Sequence, residues 1–316
     1  SARAGYSFDD VAVAPHRRTR DPEAVDLGWQ IDAYGFALPL VAAPMDSIMS
    51  PETAIEMGRA GCLGVLNLEG LWTRYADPSD AFEQIRAASA HDAVSLLQRL
   101  YAEPIKPELI IERVGQMRAA NITVAASLSP QKTHDLFGHV IEAGVDVFVI
   151  RGTTVSAEHV SAGNEPLNLK RFIYELDVPV LVGGVATYQS ALHLMRAGAA
   201  GVLVGFGGGA THTSADVLGV RVPMATAVAD VAAARRDYLD ESGGRYVHVV
   251  ADGAMGRSGD LVKAIACGAD AAMVGSPLAR ASEAPGAGKH WGMEATHAQL
   301  PRGEVVEFET LGTLAE

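Results

Sequence analysis

The sequence is poor in cysteine and in aromatic residues, has no long apolar run, and is short of positive charge. It holds two cysteines, Cys62 and Cys267, and aromatics make up 6% of its 316 residues. Each cysteine sits in an apolar, glycine-flanked junction, "RAGCLGVL" and "AIACGADAAMV". They read as small buried side chains of a reducing compartment. Twenty-five Lys and Arg face 38 Asp and Glu, a net charge of −13. That balance argues against sequence-independent nucleic-acid binding, which needs a basic face. No stretch approaches the ~20 apolar residues of a membrane span. The first residues lack the apolar core of a signal peptide. The expectation is a soluble, cytoplasmic protein with neither a membrane nor a nucleic-acid partner.

What is present is an apolar rhythm. Hydrophobic residues make up 48% of the chain, enough for a sizeable core. One phrase recurs: "MGRAGCLGVL" (57–66), "IEAGVDVFVI" (141–150), "MRAGAAGVLV" (195–204) and "IACGADAAMV" (265–274). In each, a helix ends in Ala/Cys-Gly and a short turn leads to a continuous apolar strand, the kind a sheet buried on both faces requires. Further strands are predicted at 37–44, 122–129, 178–184 and 245–253, with helices at 51–60, 131–143, 186–197, 224–240 and 258–267. Eight parallel-type strands alternating with helices predict a single-domain TIM (β/α)8 barrel over 1–316. Residues 71–118 break the rhythm with amphipathic helices and one proline break. The tail, 281–316, is punctuated by glycine and proline and reads as partly mobile.

In such a barrel the loops after the C-terminal ends of the strands build the site. Three are informative: "VGFGGGATHTS" (204–214), "ADGAMGRSGD" (251–260) and "VGSPLA" (274–279). Gly253, Gly275 and Ser276 can present backbone N–H groups to an anion, and the helix opening at "SGDLVKAI" favours negative charge at its start. Asp252, at a strand end, suits a ribose diol. Each glycine alone is equally a tight turn; three such loops on successive strands favour a phosphorylated ligand.

The segments "PLVAAPMD" (39–46), "GCLGVLN" (61–67), "VLVGGVAT" (181–187), 202–230 and 249–279 together resemble the IMP dehydrogenase / GMP reductase family, in order and over most of the chain. Within it, "EPLNLKRFIYELDVPVLVGGV" and "ARRDYLDESGGRYVHV" are similar to the IMP dehydrogenase-related proteins of actinomycete type. The resemblance implies an NAD-dependent oxidoreductase of purine nucleotide metabolism, binding a purine nucleoside monophosphate and assembling as a homotetramer. The regulatory pair of CBS modules usual in the dehydrogenases has no room in 71–118. By resemblance, Asp252 holds the ribose, Gly253, Ala254, Gly275 and Ser276 hold the phosphate with Ser258 nearby, Met45 lies against the purine, and Gly207 to Gly209 flank the base. Arg151, Gly152 and Gly205 lie toward the dinucleotide, and the loop 205–212 offers a monovalent-cation site.

Several residues depart from the family pattern. His212, followed by Thr213, stands where the family carries its nucleophilic cysteine, and an imidazole lacks a thiolate's softness. Ala210 replaces a phosphate-binding serine, Val185 an asparagine, and Arg151 an aspartate that contacts the dinucleotide ribose. No tyrosine follows Tyr246, so the flap's Arg-Tyr pair is missing, and so is a counterpart of the barrel-closing segment that follows it. His212 reads either as an acid or base in altered chemistry or as a loop residue touching the ligand. Arg151 reads as an anion ligand or as the ion-pair partner of Asp146 or Glu158. Lys289, His290 and Trp291 read as a lid or as surface packing. Two further classes stay open: a catalytically silent nucleotide-binding barrel, and a flavin-dependent barrel, which would be yellow.

Overall fold

A computed structural model describes residues 3–156, 168–206, 208–298 and 303–316. Eight parallel strands close into a barrel: β1 (Leu40–Ala42), β2 (Leu63–Asn67), β3 (Ala125–Leu128), β4 (Val147–Arg151), β5 (Val180–Val185), β6 (Gly201–Val204), β7 (His248–Asp252) and β8 (Ala271–Val274). Neighbours in sequence are neighbours in space, and β8 closes on β1 with Ala272 opposite Leu40 and Val274 opposite Ala42. The ring therefore closes within the eight strands read from the sequence. Every residue of β3, β4, β5, β6 and β8 is buried, as the uninterrupted apolar runs required.

The helices begin and end where local chemistry dictates. α1 (Pro51–Arg59) starts with proline at its first position and Ser50 as its cap. The Ser50 hydroxyl accepts from Thr53 N at 3.0 Å, and Thr53 Oγ1 accepts from Ser50 N at 2.7 Å. The helix Pro130–Ala143 stops at Gly144 with φ 84°, a left-handed cap that a side chain would strain. A hairpin, Trp29–Ile31 with Tyr34–Phe36, lies at the N-terminal end of the barrel, where Trp29 Nε1 donates to His248 Nδ1 at 3.2 Å.

Residues 71–118 form three helices, Ser79–Ala87, Ala93–Leu100 and Pro107–Ala119. The last packs on α1 and on Pro130–Ala143, and so serves as the barrel's own crossover between β2 and β3. The other two build a second core of Leu71, Phe82, Ile85, Leu97 and Leu100.

Part of the tail packs inward: His290, Trp291, Glu294 and Ala295 are buried, while residues 303–316 are half-buried or exposed. Lys289–Trp291 pairs antiparallel with Val305–Glu307, and Trp291, only 1% exposed, fills the second core. Glycine and proline misled here because they mark turns, and these turns deliver large side chains inward. Trp291→Ala is expected to destabilise the fold by about 3–5 kcal/mol. Leu311→Ala, at a side chain 70% exposed, should shift stability by no more than about 0.5 kcal/mol. Urea unfolding of both variants is the check.

Candidate functional site at the barrel mouth

A cavity of about 290 Å³ opens at the C-terminal ends of the strands. Met45, Gly209, Asp252, Gly253, Ala254, Gly275, Ser276, Arg151 and His212 line it, so most of the predicted site residues do meet. They arrive from the ends of β1, β4, β7 and β8 and from the loop after β6. Gly253 and Ala254 both take positive φ, 94° and 59°, which turns successive backbone groups toward the cavity side. The N–H groups of Ala254 and Ser276 meet no protein acceptor among the described residues. A side chain at Gly275 would touch His290 Nε2 and Met45 Sδ, each 3.4 Å away, so this glycine keeps the backbone within reach of the cavity.

Four expectations are corrected or refined. Ser258 is exposed at the start of its helix, Ser258–Cys267, and lines no part of the cavity, because the "AMGR" turn carries it outward. Gly205 (φ 138°) lines neither cavity, and a side chain there would run into the carbonyl of Asp252 and the sulfur of Met224. Thr213 lines neither this cavity nor its neighbour and instead donates from N (2.6 Å) and Oγ1 (2.9 Å) to Glu294. Arg151 does not pair with Asp146. That acid sits at the other end of β4, where it accepts from Val124 N at 2.8 Å. Gly207 and Glu158 lie outside the described residues. Gly152 lines a second, larger cavity of about 640 Å³, which shares Met45 and Arg151 with the first.

Arg151 reaches across the barrel mouth to Asp252. Its Nε lies 2.9 Å from Oδ2 and its Nη2 3.4 Å from Oδ1, with side chains 7% and 9% exposed. The residue expected to hold a ribose thus already has a charged partner.

The cavity wall also includes side chains from the tail. His290 Nδ1 lies 2.8 Å from Ser47 Oγ. Burial, with His212 beside it, pushes the His290 imidazole down to about 4, so it is neutral near pH 7. Glu294, buried on the helix Met293–Thr296, accepts from Ser214 Oγ at 2.6 Å and lies 3.5 Å from His212 Nδ1. Burial alone would raise Glu294, but hydrogen bonds from His212, Ser214 and Thr213 outweigh it and hold the carboxyl near 2. Behind them, Trp291 Nε1 donates to Tyr101 Oη (3.0 Å), and Tyr101 donates to Asp46 Oδ2 (2.6 Å). Asp46 also accepts from Leu71 N (2.6 Å), and burial lifts it to about 6 despite those donors.

Arg280 and Phe308 complete the wall. Neither was found from sequence, and neither were Glu294 or Ser47. The motif "VGSPLA" ended the resemblance one residue short of Arg280, and no local pattern joins 308 to 280. Both cysteines sit away from the cavity: Cys62 precedes β2 and Cys267 ends the helix before β8, each at the N-terminal end of its strand.

Two outcomes follow. Arg151→Met should cost about 3–5 kcal/mol in urea unfolding, because it leaves a buried, unpaired Asp252. Adding Asp252→Leu to it should recover most of that loss. In addition, His290 refuses a proton that the unfolded chain accepts below pH 6.5, so stability should fall as pH drops from about 6.5 toward 4. His290→Gln should flatten that part of a pH–stability profile.

A family model, IMP dehydrogenase / GMP reductase domain, matches residues 5–303. An uncharacterized oxidoreductase of Mycolicibacterium smegmatis is 52% identical over 313 residues, covering 97% of this chain and 84% of the relative. The inosine-5'-monophosphate dehydrogenase of Methanocaldococcus jannaschii is 26% identical over 377 residues, covering 90% and 74%. The solved structure of an IMP dehydrogenase/GMP reductase-like protein from Corynebacterium glutamicum superposes with TM-score 0.94 at 51% identity, covering 99% of this chain and 84% of that one. The ring of eight strands, the glycine loops at its mouth and these likenesses agree: the chain belongs to the IMP dehydrogenase / GMP reductase family.

Proposed function

We propose that the barrel binds a purine nucleoside monophosphate in the smaller cavity and does not carry out the thiolate chemistry of its family. The observation that carries the binding half is the meeting of Gly253, Ala254, Gly275 and Ser276 around one cavity, with two backbone N–H groups facing no protein acceptor. Such a cradle suits a phosphate. Met45, on the same wall, offers an apolar surface to the base. Asp252 keeps lone pairs beyond those turned to Arg151, and the ion pair fixes its orientation toward a ribose hydroxyl.

The chemical half rests on His212. It lines the cavity with the Glu294 carboxylate beside it, and by resemblance it stands where the family carries its cysteine. A histidine with a carboxylate at Nδ1 is a proton acceptor and not a soft nucleophile. NAD, which the family implies, would belong to the larger cavity, where it would accept a hydride. The end of β4 there carries the Arg151 guanidinium, a donor already turned to Asp252, where a ribose diol needs an acceptor. Arg151 therefore cannot accept from that diol, and the acceptor side chains on the same wall are Asp46, Asn67, Glu69 and Glu294. A monovalent cation at 205–212 would take backbone carbonyls of that loop, and a homotetramer is part of the same reading by family likeness.

Calorimetric titration with IMP should give micromolar binding, and the paired variant Arg151→Met with Asp252→Leu, which leaves no buried charge unpaired, should abolish the heat while circular dichroism shows a folded barrel. NADH should not form from IMP and NAD. His212→Cys alone should not restore it, since the neighbouring Glu294 carboxylate disfavours a thiolate. NADH formation by the unaltered protein would overturn the chemical half of the reading. Absence of heat with IMP, GMP and XMP would overturn the binding half.

A further inference from the structure

The smaller cavity has an unbalanced charge in its wall. Five charged or titratable side chains line it: Arg151, His212, Asp252, Arg280 and His290. Arg151 and Asp252 neutralise each other through two contacts. His290 is neutral near pH 7. The guanidinium of Arg280 forms no ion pair with a carboxylate among the described residues. Its central carbon lies 4.8 Å from the centre of the Phe308 ring, which lines the same cavity. Stacking on an aromatic face steadies a guanidinium without neutralising it.

Position supports a ligand role. Arg280 ends the short turn Leu278–Arg280 that begins directly after Gly275, Ser276 and Pro277. It therefore stands on the same loop as the unpaired Ser276 N–H. The main chain at this point is anchored: Arg280 O accepts from Leu311 N at 2.9 Å, and Phe308 N donates to Gly288 O at 2.8 Å. A cation on a fixed loop, next to orphan N–H donors and held by an aromatic ring, suits an anion with several acceptor oxygens.

We infer that Arg280, braced by Phe308, is a phosphate ligand of this cavity, so that the site selects a phosphate monoester dianion over the uncharged nucleoside. The inference rests on the nucleotide-binding reading above and gives the phosphate a charged partner in addition to the backbone cradle. Ala210 stands where the family's phosphate-binding serine is expected, and Arg280 supplies a donor of a different kind.

The test is calorimetric titration with three probes: IMP, inosine and ribose 5-phosphate. Arg280→Met keeps the apolar stem against Phe308 and removes the charge. It should weaken IMP about tenfold to a hundredfold and leave inosine unchanged. Arg280→Lys should fall between, since an ammonium keeps the charge but not the fork. Arg257→Met, an exposed neighbour outside the cavity wall, should match the unaltered protein. Equal IMP affinity with and without the Arg280 charge would overturn the inference. If IMP does not bind but ribose 5-phosphate binds in an Arg280-dependent way, the purine reading fails and the phosphate ligand stands. If no phosphate-bearing probe depends on Arg280, the inference fails whatever else binds.

Discussion

The mouth of this barrel is organised by one constraint: the carboxylate of Asp252, at the end of β7, is nearly covered by protein. Arg151, from the far side of the ring at the end of β4, answers it with a two-point contact. A buried carboxylate without such a partner would be costly, and the pair is rigid because both residues sit at strand ends and not in loops. The consequence reaches both cavities. The guanidinium that orients Asp252 toward the smaller one also lines the larger one. One ion pair thus fixes the polar geometry of two neighbouring spaces.

Around that pair, the tail acts as a structural wall. Glu294 gathers the N–H of Thr213 and the hydroxyls of Thr213 and Ser214, which pins the loop after β6 and with it His212. Trp291, Tyr101 and Asp46 form a second line of hydrogen bonds behind it. The two sets start three residues apart in the tail and hold different loops. His212 is therefore a residue held in place from Nδ1 by the Glu294 carboxylate.

Much of the fold was legible in the sequence because its cause is local. Glycine after a helix and a continuous apolar run are short-range signals, and all eight strands lay where those signals placed them. The meeting of Gly253, Gly275 and Ser276 at one cavity was legible for the same reason, since they belong to compact strand-end motifs. What the sequence did not disclose depends on distance along the chain. Nothing near Asp252 reveals Arg151 as its partner, about a hundred positions away. Nothing near Ser214 reveals Glu294. Asp146 seemed as eligible a partner for Arg151 because sequence proximity hides the fact that they occupy opposite ends of one strand. The glycines of the tail suggested looseness because composition records turns and not what the turns carry.

The tail also completes the site. The barrel closes where β8 pairs with β1, by residue 274, yet the cavity takes His290 and Phe308 from the tail. The ring is thus complete within residues 40–274, while part of the cavity wall lies beyond it. The tail thus carries two kinds of side chain: Trp291 and Glu294, which hold the fold and the loop after β6, and Phe308, which faces the cavity and can change without emptying either core.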